Sequence, residues 1–174
     1  MKRCLIVVDY QNDFVAGTLG NQYAKNIESA ICKKINSAHQ NGDTVIFTFD
    51  THSENYMDTL EGKYLPIAHC IKNTPGHELY GQVAQLATKE DIFIEKHTFP
   101  SDTLLTYLQQ NPVDQVELCG VVTNICVISN AIIAKAALPN AEIVIDKKAV
   151  ASNDTAIEQK CFDILPALHI QVIE

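Results

Sequence analysis

Short apolar runs and segments of helical period alternate from one end of this 174-residue chain to the other, and that alternation leaves few folds open. The runs Cys4 to Asp9, Thr44 to Asp50, Asp91 to Lys96, Gln115 to Gly120, Glu142 to Ile145 and His169 to Ile173 are mostly rich in Val, Ile, Leu and Phe and have the length of strands. Between the first two, Ala24 to Gln40 carries Ile27, Ile31, Ile35 and Ala38 at helical spacing and is stopped by Asn41-Gly42. Further helices are predicted over Glu78 to Ala87, Thr103 to Gln110, Ile125 to Ala137 and Asn153 to Leu165, the last capped by Ser152 or Asn153. Cys4-Leu5-Ile6-Val7-Val8 is continuously apolar rather than alternating, which suits a central strand buried on both faces. Strand–helix alternation with right-handed crossovers then predicts a three-layer α/β/α fold around a six-stranded parallel sheet, in the Rossmann-like order 3-2-1-4-5-6.

In sheets of this kind ligands and chemistry gather at the C-terminal ends of the strands. Asp9, Asp50 and Lys96 end the first three strands, and Cys126 follows the fourth after the turn Val121-Val122-Thr123-Asn124. The predicted order places the first and fourth strands side by side, so Asp9 and Cys126 should meet. Lys96, two strands away, must cross about 10 Å and needs both its extended stem and the sheet twist. Cys126 is predicted in a helix's first turn, where unpaired N–H groups and the helix dipole favour a thiolate. A lone cysteine is more simply a small buried apolar residue, and an Asp–Lys pair a structural ion pair. All three at strand ends point instead to a nucleophile with acid–base partners.

A second cluster lies in the loop after the second strand: Asp50-Thr51-His52, Glu61-Gly62-Lys63 and Ala68-His69-Cys70. Asp50 and His52 alternate by two and so project to one side. Two imidazoles and two carboxylates, Asp50, His52, Glu61 and His69, suit Zn²⁺ and also Mn²⁺ or Fe²⁺. The opposing reading is a polar loop holding these residues by chance, with Lys63 neutralising Glu61.

With 47% apolar residues the chain suits one globular domain spanning 1–174 with a real core. A net charge of −8 without a Lys/Arg cluster argues against nucleic acid or an anionic membrane as the main partner and leaves a small-molecule substrate. The apolar run after Met1-Lys2-Arg3 is too short for a signal peptide or a membrane span, so a cytoplasmic location is expected. The six cysteines (Cys4, Cys32, Cys70, Cys119, Cys126 and Cys161) are expected as free thiols. His39, His77 and His169 are expected to face solvent, and His97 to line a pocket.

Three stretches, Ile6-Val7-Val8-Asp9-Tyr10-Gln11-Asn12-Asp13-Phe14, Glu95-Lys96 and Gly120-Val121-Val122-Thr123-Asn124-Ile125-Cys126-Val127, resemble the isochorismatase-like cysteine hydrolases, especially their nicotinamidase-type amidases. The resemblance covers nearly the whole chain. It implies a catalytic triad of Asp9, Lys96 and Cys126, a cis peptide at Val121-Val122, and an oxyanion hole from the backbone N–H groups of Val122 and Cys126. It also implies a divalent metal, Zn²⁺ first, on Asp50, His52, Glu61 and His69 ahead of the turn Thr74-Pro75-Gly76, and a pocket wall from Phe14 and Leu19. The reaction so implied is hydrolysis of a small amide through a thioester, with nicotinamide the leading candidate, in a homo-oligomer. Two departures stand out. Ile67-Ala68 precede His69 where an aromatic residue is expected, and His97-Thr98-Phe99-Pro100-Ser101 is shorter than the aromatic-rich stretch of those enzymes. N-carbamoyl or ureido substrates, and a catalytically silent binding protein, therefore stay open. Vinyl-ether hydrolysis by an isochorismatase proper would need neither Cys126 nor His52, and a phospho-acceptor receiver would need an aspartate where Lys96 stands.

Overall fold

The computed structural model describes all residues from 1 to 174. Six strands form one sheet: β1 (Arg3–Val8), β2 (Thr44–Asp50), β3 (Ile92–Lys96), β4 (Gln115–Val121), β5 (Glu142–Ala151) and β6 (Ile170–Ile173). Their order is β3-β2-β1-β4-β5-β6 and every pairing is parallel, the predicted doubly wound topology. Helices α1 (Asn12–Val15), α2 (Gln22–Asn26), α3 (Glu28–Asn41), α4 (Leu60–Tyr64), α5 (Gly81–Leu86), α6 (Asp102–Gln110), α7 (Ile128–Ala137) and α8 (Thr155–Ile164) complete the chain.

The pleat of β1 sorts the core. Cys4, Ile6 and Val8 face a cluster with Leu104 and Leu108 of α6, Ala131 and Ala134 of α7 and Phe162 of α8. Leu5 and Val7 face the other side, with Ile31 and Ile35 of α3 and Val83 of α5. Because both faces are covered, β1 has no polar residue between Cys4 and Val8. The crossovers α3 and α5 lie on one side and α6, α7 and α8 on the other, so winding reverses between β1 and β4 and a crevice opens there.

Several element boundaries differ from the sequence reading. The segment Ala24 to Gln40 is broken at Ile27 into α2 and α3, where the Ala24 carbonyl accepts the buried Tyr10 hydroxyl at 2.7 Å. The final long helix is capped by Asp154, whose carboxylate accepts from the Ala156 and Ile157 N–H groups, and not by Ser152 or Asn153. Strand β5 runs six residues beyond Ile145 because its charged interruption, Asp146-Lys147-Lys148, is an irregularity in the strand rather than its end. Asp146 there pairs with Lys34 at 2.5 Å, and Ala149 to Ala151 return to the buried sheet. Cys126 enters through a π-helical turn, Thr123–Val127, before α7 begins. The long loop after β2 contains α4, which its composition had concealed.

Candidate active site

The crevice is drawn tight by one glycine. Gly120 pairs with Val8 and has φ of 112°, and a Cβ there would lie 2.1 Å from the Val8 carbonyl oxygen. Only glycine lets β4 come this close while the chain swings into the following turn. The Val121–Val122 peptide is cis, as the resemblance implied. Val122 accepts from the Ile125 and Val127 N–H groups at 3.0 and 3.2 Å, which closes the π-helical turn, while its own N–H meets no acceptor in the chain.

Asp9 leaves β1 with φ of 47°, a left-handed conformation that aspartate tolerates better than most residues. Its N–H donates to Thr48, and the Thr48 hydroxyl donates back to Asp9 Oδ1 at 2.6 Å. Lys96 does reach it. The Lys96 Nζ lies 2.7 Å from Asp9 Oδ2, 3.3 Å from Asp50 Oδ1 and 3.5 Å from Cys126 Sγ, and donates to the Thr98 carbonyl at 3.1 Å. Asp50 pairs with Lys96 in the β2–β3 register, so the ammonium extends past the end of β2 to the acid of β1. Asp9 Oδ2 is fully buried, with the Lys96 ammonium as its ion-pair partner. Asp9, Lys96 and Cys126 are 0%, 2% and 4% exposed.

Burial sets the protonation of this trio. It pushes the Cys126 thiol well above its ordinary value, and the nearby Asp9 carboxylate adds to that, outweighing the help of Lys96. Burial thus opposes the thiolate that helix entry favours. Burial would lower Lys96, but Asp9, Cys126 and Asp50 together hold it above the usual lysine range, so it is a firm cation. Asp9 is raised by burial against the opposing pull of Lys96.

Beside the trio the structure brings Asp50, His52, Glu61 and His69 together, each offering a ligand atom within 4.8 Å of the others. His52 Nε2 and His69 Nε2 lie 3.1 and 3.4 Å from Asp50 Oδ2, and each lies 3.7 Å from Glu61 Oε1. Donors around a tetrahedral cation with bonds of about 2.1 Å stand about 3.4 Å apart, so these separations suit one. The tautomer suits it too. His69 Nδ1 lies 2.8 Å from the Ile67 carbonyl, which can only accept, so the proton sits on Nδ1 and the Nε2 lone pair faces the cluster. Burial would raise Asp50, but the two neighbouring histidines and the Lys96 charge hold it far below the usual carboxylate range. Glu61 is raised by burial and by Asp50. Lys63 forms no ion pair with Glu61.

The cluster borders a cleft of about 440 Å³ lined by His52, Leu60, Glu61, Tyr64, His97 and Phe99 among others. His97 thus lines the pocket, its Nδ1 donating to the Thr51 carbonyl at 3.0 Å. Phe14 stands edge-on to His69, with ring centroids 5.4 Å apart, and Leu19 packs half-buried on the core cluster that includes Phe14, but neither is among the residues lining this cleft. Two histidines depart from expectation. His39 pairs with Asp91 at 2.8 Å, and His77 is half-buried against the Thr51 hydroxyl at 2.8 Å, whereas His169 is exposed. All six cysteines are free.

Supporting residues escaped the sequence reading. Gln11, fully buried, accepts from Asp50 N–H at 2.8 Å and donates to the Asp50 and His77 carbonyls. Asp13 accepts from Cys70 N–H at 2.8 Å, next to His69. Tyr56 packs its ring against both His52 and His69, with centroids 4.7 and 5.0 Å away, and ties its hydroxyl to the Leu65 carbonyl at 2.9 Å. Gln11 and Asp13 sit in the same stretch as Asp9, the one signal that would have raised them.

Fold and crevice together define a doubly wound α/β protein with a buried acid, amine and thiol at its switch point and a metal-ligand cluster alongside. A family model described as "Isochorismatase domain" matches residues 3–172, and the chain belongs to that family. A relative from Bacillus subtilis (strain 168), described as an uncharacterized isochorismatase family protein PncA, is 35% identical over 164 residues, covering 87% of each chain. The solved pyrazinamidase/nicotinamidase of Streptococcus mutans UA159 is 33% identical with a TM-score of 0.89, covering 99% of this chain and 100% of that one. The pyrazinamidase of Pyrococcus horikoshii, solved in complex with zinc, is 25% identical with a TM-score of 0.88, covering 100% of this chain and 99% of that one.

Proposed function

We propose that this protein, acting through residues 1–174 as a single domain, is a cysteine-dependent amidohydrolase of the nicotinamidase type, with nicotinamide hydrolysis to nicotinate and ammonia as its leading reaction. One observation carries the reading: a single buried ammonium 2.7 Å from Asp9 and 3.5 Å from the Cys126 sulfur, at the edge of a four-donor cluster. The kinship with nicotinamidases supports the substrate class.

The trio's chemistry follows from its protonation. Cys126 holds its proton in the resting crevice, so attack needs a base, and the neighbouring Asp9 carboxylate accepts it. The sulfur bonds to the amide carbon while Lys96 steadies the negative charge passing between sulfur and carboxylate. The free Val122 N–H, with that of Cys126, receives the developing oxyanion. Asp9 then returns its proton to the departing nitrogen, the C–N bond breaks and ammonia leaves a thioester on Cys126. Asp9 next takes a proton from water, the hydroxide adds to the thioester carbon, and the C–S bond breaks to give the acid as Asp9 returns the proton to sulfur and restores the thiol. Asp50, His52, Glu61 and His69 would hold a divalent cation, zinc first, which when bound supplies a Lewis-acid site, separate from the sulfur, that orients the substrate. Phe14, edge-on to His69, and Leu19 serve as a pocket wall on the His69 side of the cluster.

Ammonia release from nicotinamide, N-carbamoyl compounds and short aliphatic amides tests the reading. Turnover of nicotinamide that is lost in Cys126→Ala is expected. Turnover confined to N-carbamoyl compounds would move the substrate class, and silence across the set with a reactive Cys126 would remove the amidase reading.

A further inference from the structure

Asn130 is a fully buried amide on α7, one turn beyond Cys126, with no part in the proton transfers above. Helix interiors disfavour asparagine, and a buried amide must find partners for its polar atoms. Here all of them are backbone groups. Its Nδ2 donates to the Cys126 carbonyl at 2.8 Å and to the Phe99 carbonyl at 3.0 Å, while its Oδ1 accepts from Ser101 N–H at 3.0 Å. Two carbonyls on one side and an N–H on the other allow only this orientation of the amide.

The bonds join two segments that nothing in the sheet register links. One is the nucleophile's turn, Thr123–Val127. The other runs from the end of β3 to the start of α6, and it holds Thr98, whose carbonyl accepts from Lys96 Nζ, together with His97 and Phe99 of the cleft wall. Cys126 and Lys96 arrive on different strands, β4 and β3, separated in the sheet by β2 and β1. A sulfur-to-ammonium distance set only by those strands would pass through three strand pairings, whereas Asn130 spans it directly.

We propose that Asn130 is a positioning residue that pins the turn carrying Cys126 to the segment following Lys96, and so holds the sulfur at working distance from the ammonium and the cleft. The inference rests on Cys126 being the nucleophile. Truncation should leave the metal cluster intact, since none of its residues touches Asn130, and should misplace the sulfur. Misplacement of a reacting atom by about 1 Å costs on the order of 100-fold in rate.

Two variants test this in the full chain. Asn130→Ala removes all three bonds. Asn130→Thr can restore the one to the Cys126 carbonyl, because a helical threonine hydroxyl reaches the carbonyl four residues back, but it cannot reach Phe99 or Ser101. Ammonia release from nicotinamide, zinc content, thermal melting and the rate of iodoacetamide labelling at Cys126 are measured for both. In both variants kcat is expected to fall by about 100-fold with KM changed only a few-fold, with zinc content unchanged and an altered labelling rate. If Asn130→Ala does not fold, Asn130→Thr carries the test. Wild-type kcat and labelling in a variant whose only change is a lower melting temperature would reduce Asn130 to a structural residue, and full recovery in Asn130→Thr would show that the link to Phe99 and Ser101 is idle. Should Cys126→Ala retain turnover, the reading of Cys126 as nucleophile fails, while the labelling rates still decide whether Asn130 positions the thiol.

Discussion

The acid–amine–thiol trio and the four-donor cluster are neighbours built in opposite ways. The trio hangs from the ends of β1, β3 and β4, so its geometry is inherited from strand register and from the close approach at Gly120. The cluster takes one residue from β2 and three from the loop that follows it, and stands on borrowed supports: Gln11 under Asp50, Asp13 beside Cys70, and Tyr56 against both imidazoles. A sheet holds reacting groups to a fixed spacing, whereas a loop can be re-cut to fit a different substrate without disturbing them. On the proposed reading the nucleophilic chemistry resides in the sheet-borne half, and the substrate's identity in the loop-borne one.

That contrast breaks most sharply if either half can be emptied without consequence. Cys126→Ala and Asp9→Asn should each abolish nicotinamide turnover, by about 10⁴-fold or more, and the double variant should be scarcely worse than either, because members of one catalytic unit are not additive. Kinetics of the three proteins, with circular dichroism to establish folding, decide it. Next in size, His52→Ala and His69→Ala should lose bound metal by elemental analysis and much of the activity, while Cys126 still alkylates. Metal content equal to wild type in both would take the cluster out of the reading.

A subtler test separates the two halves by charge. Alkylation follows the thiolate, which appears as pH rises through the thiol's pKa. A nearby cation favours the thiolate, so Lys96→Met should move the alkylation midpoint of Cys126 to higher pH, a shift visible by peptide mass spectrometry. An unmoved midpoint would mean that Lys96 serves Asp50 alone. The smallest effect is expected from Tyr56→Phe, which keeps the ring on both histidines and removes only the hydroxyl bond to Leu65. One neutral hydrogen bond corresponds to about 3- to 10-fold, so zinc affinity by competitive chelation should fall within that range and kcat at saturating zinc should not change.

How legible each half was follows from the same difference. Strand ends announce themselves, because Asp9, Lys96 and Cys126 interrupt or follow apolar runs, and the alternation alone placed β1 beside β4. The reach of Lys96 depends on sheet twist and an extended stem together, which residue order does not fix and the assembled sheet does, with Nζ 2.7 Å from Asp9. In the loop, residue types suggested a cluster, but Tyr56, although four residues after His52, lies in no predicted helix and reads as one more polar-loop aromatic. The protonation of Cys126 was missed for a different reason. Helix entry is visible in sequence, whereas a 4% exposed cysteine next to a carboxylate is a property of the assembled crevice.

Lys96 faces Asp9 on one side and Asp50 on the other, and that makes it a shared counter-ion. Whatever shields Asp50 frees the ammonium for Asp9 and the sulfur, and whatever leaves Asp50 bare competes for it. The thiol is then a built-in gauge of the neighbouring cluster: its labelling rate, read before and after chelation, should track metal occupancy through one lysine side chain, and Lys96→Met should disconnect the two.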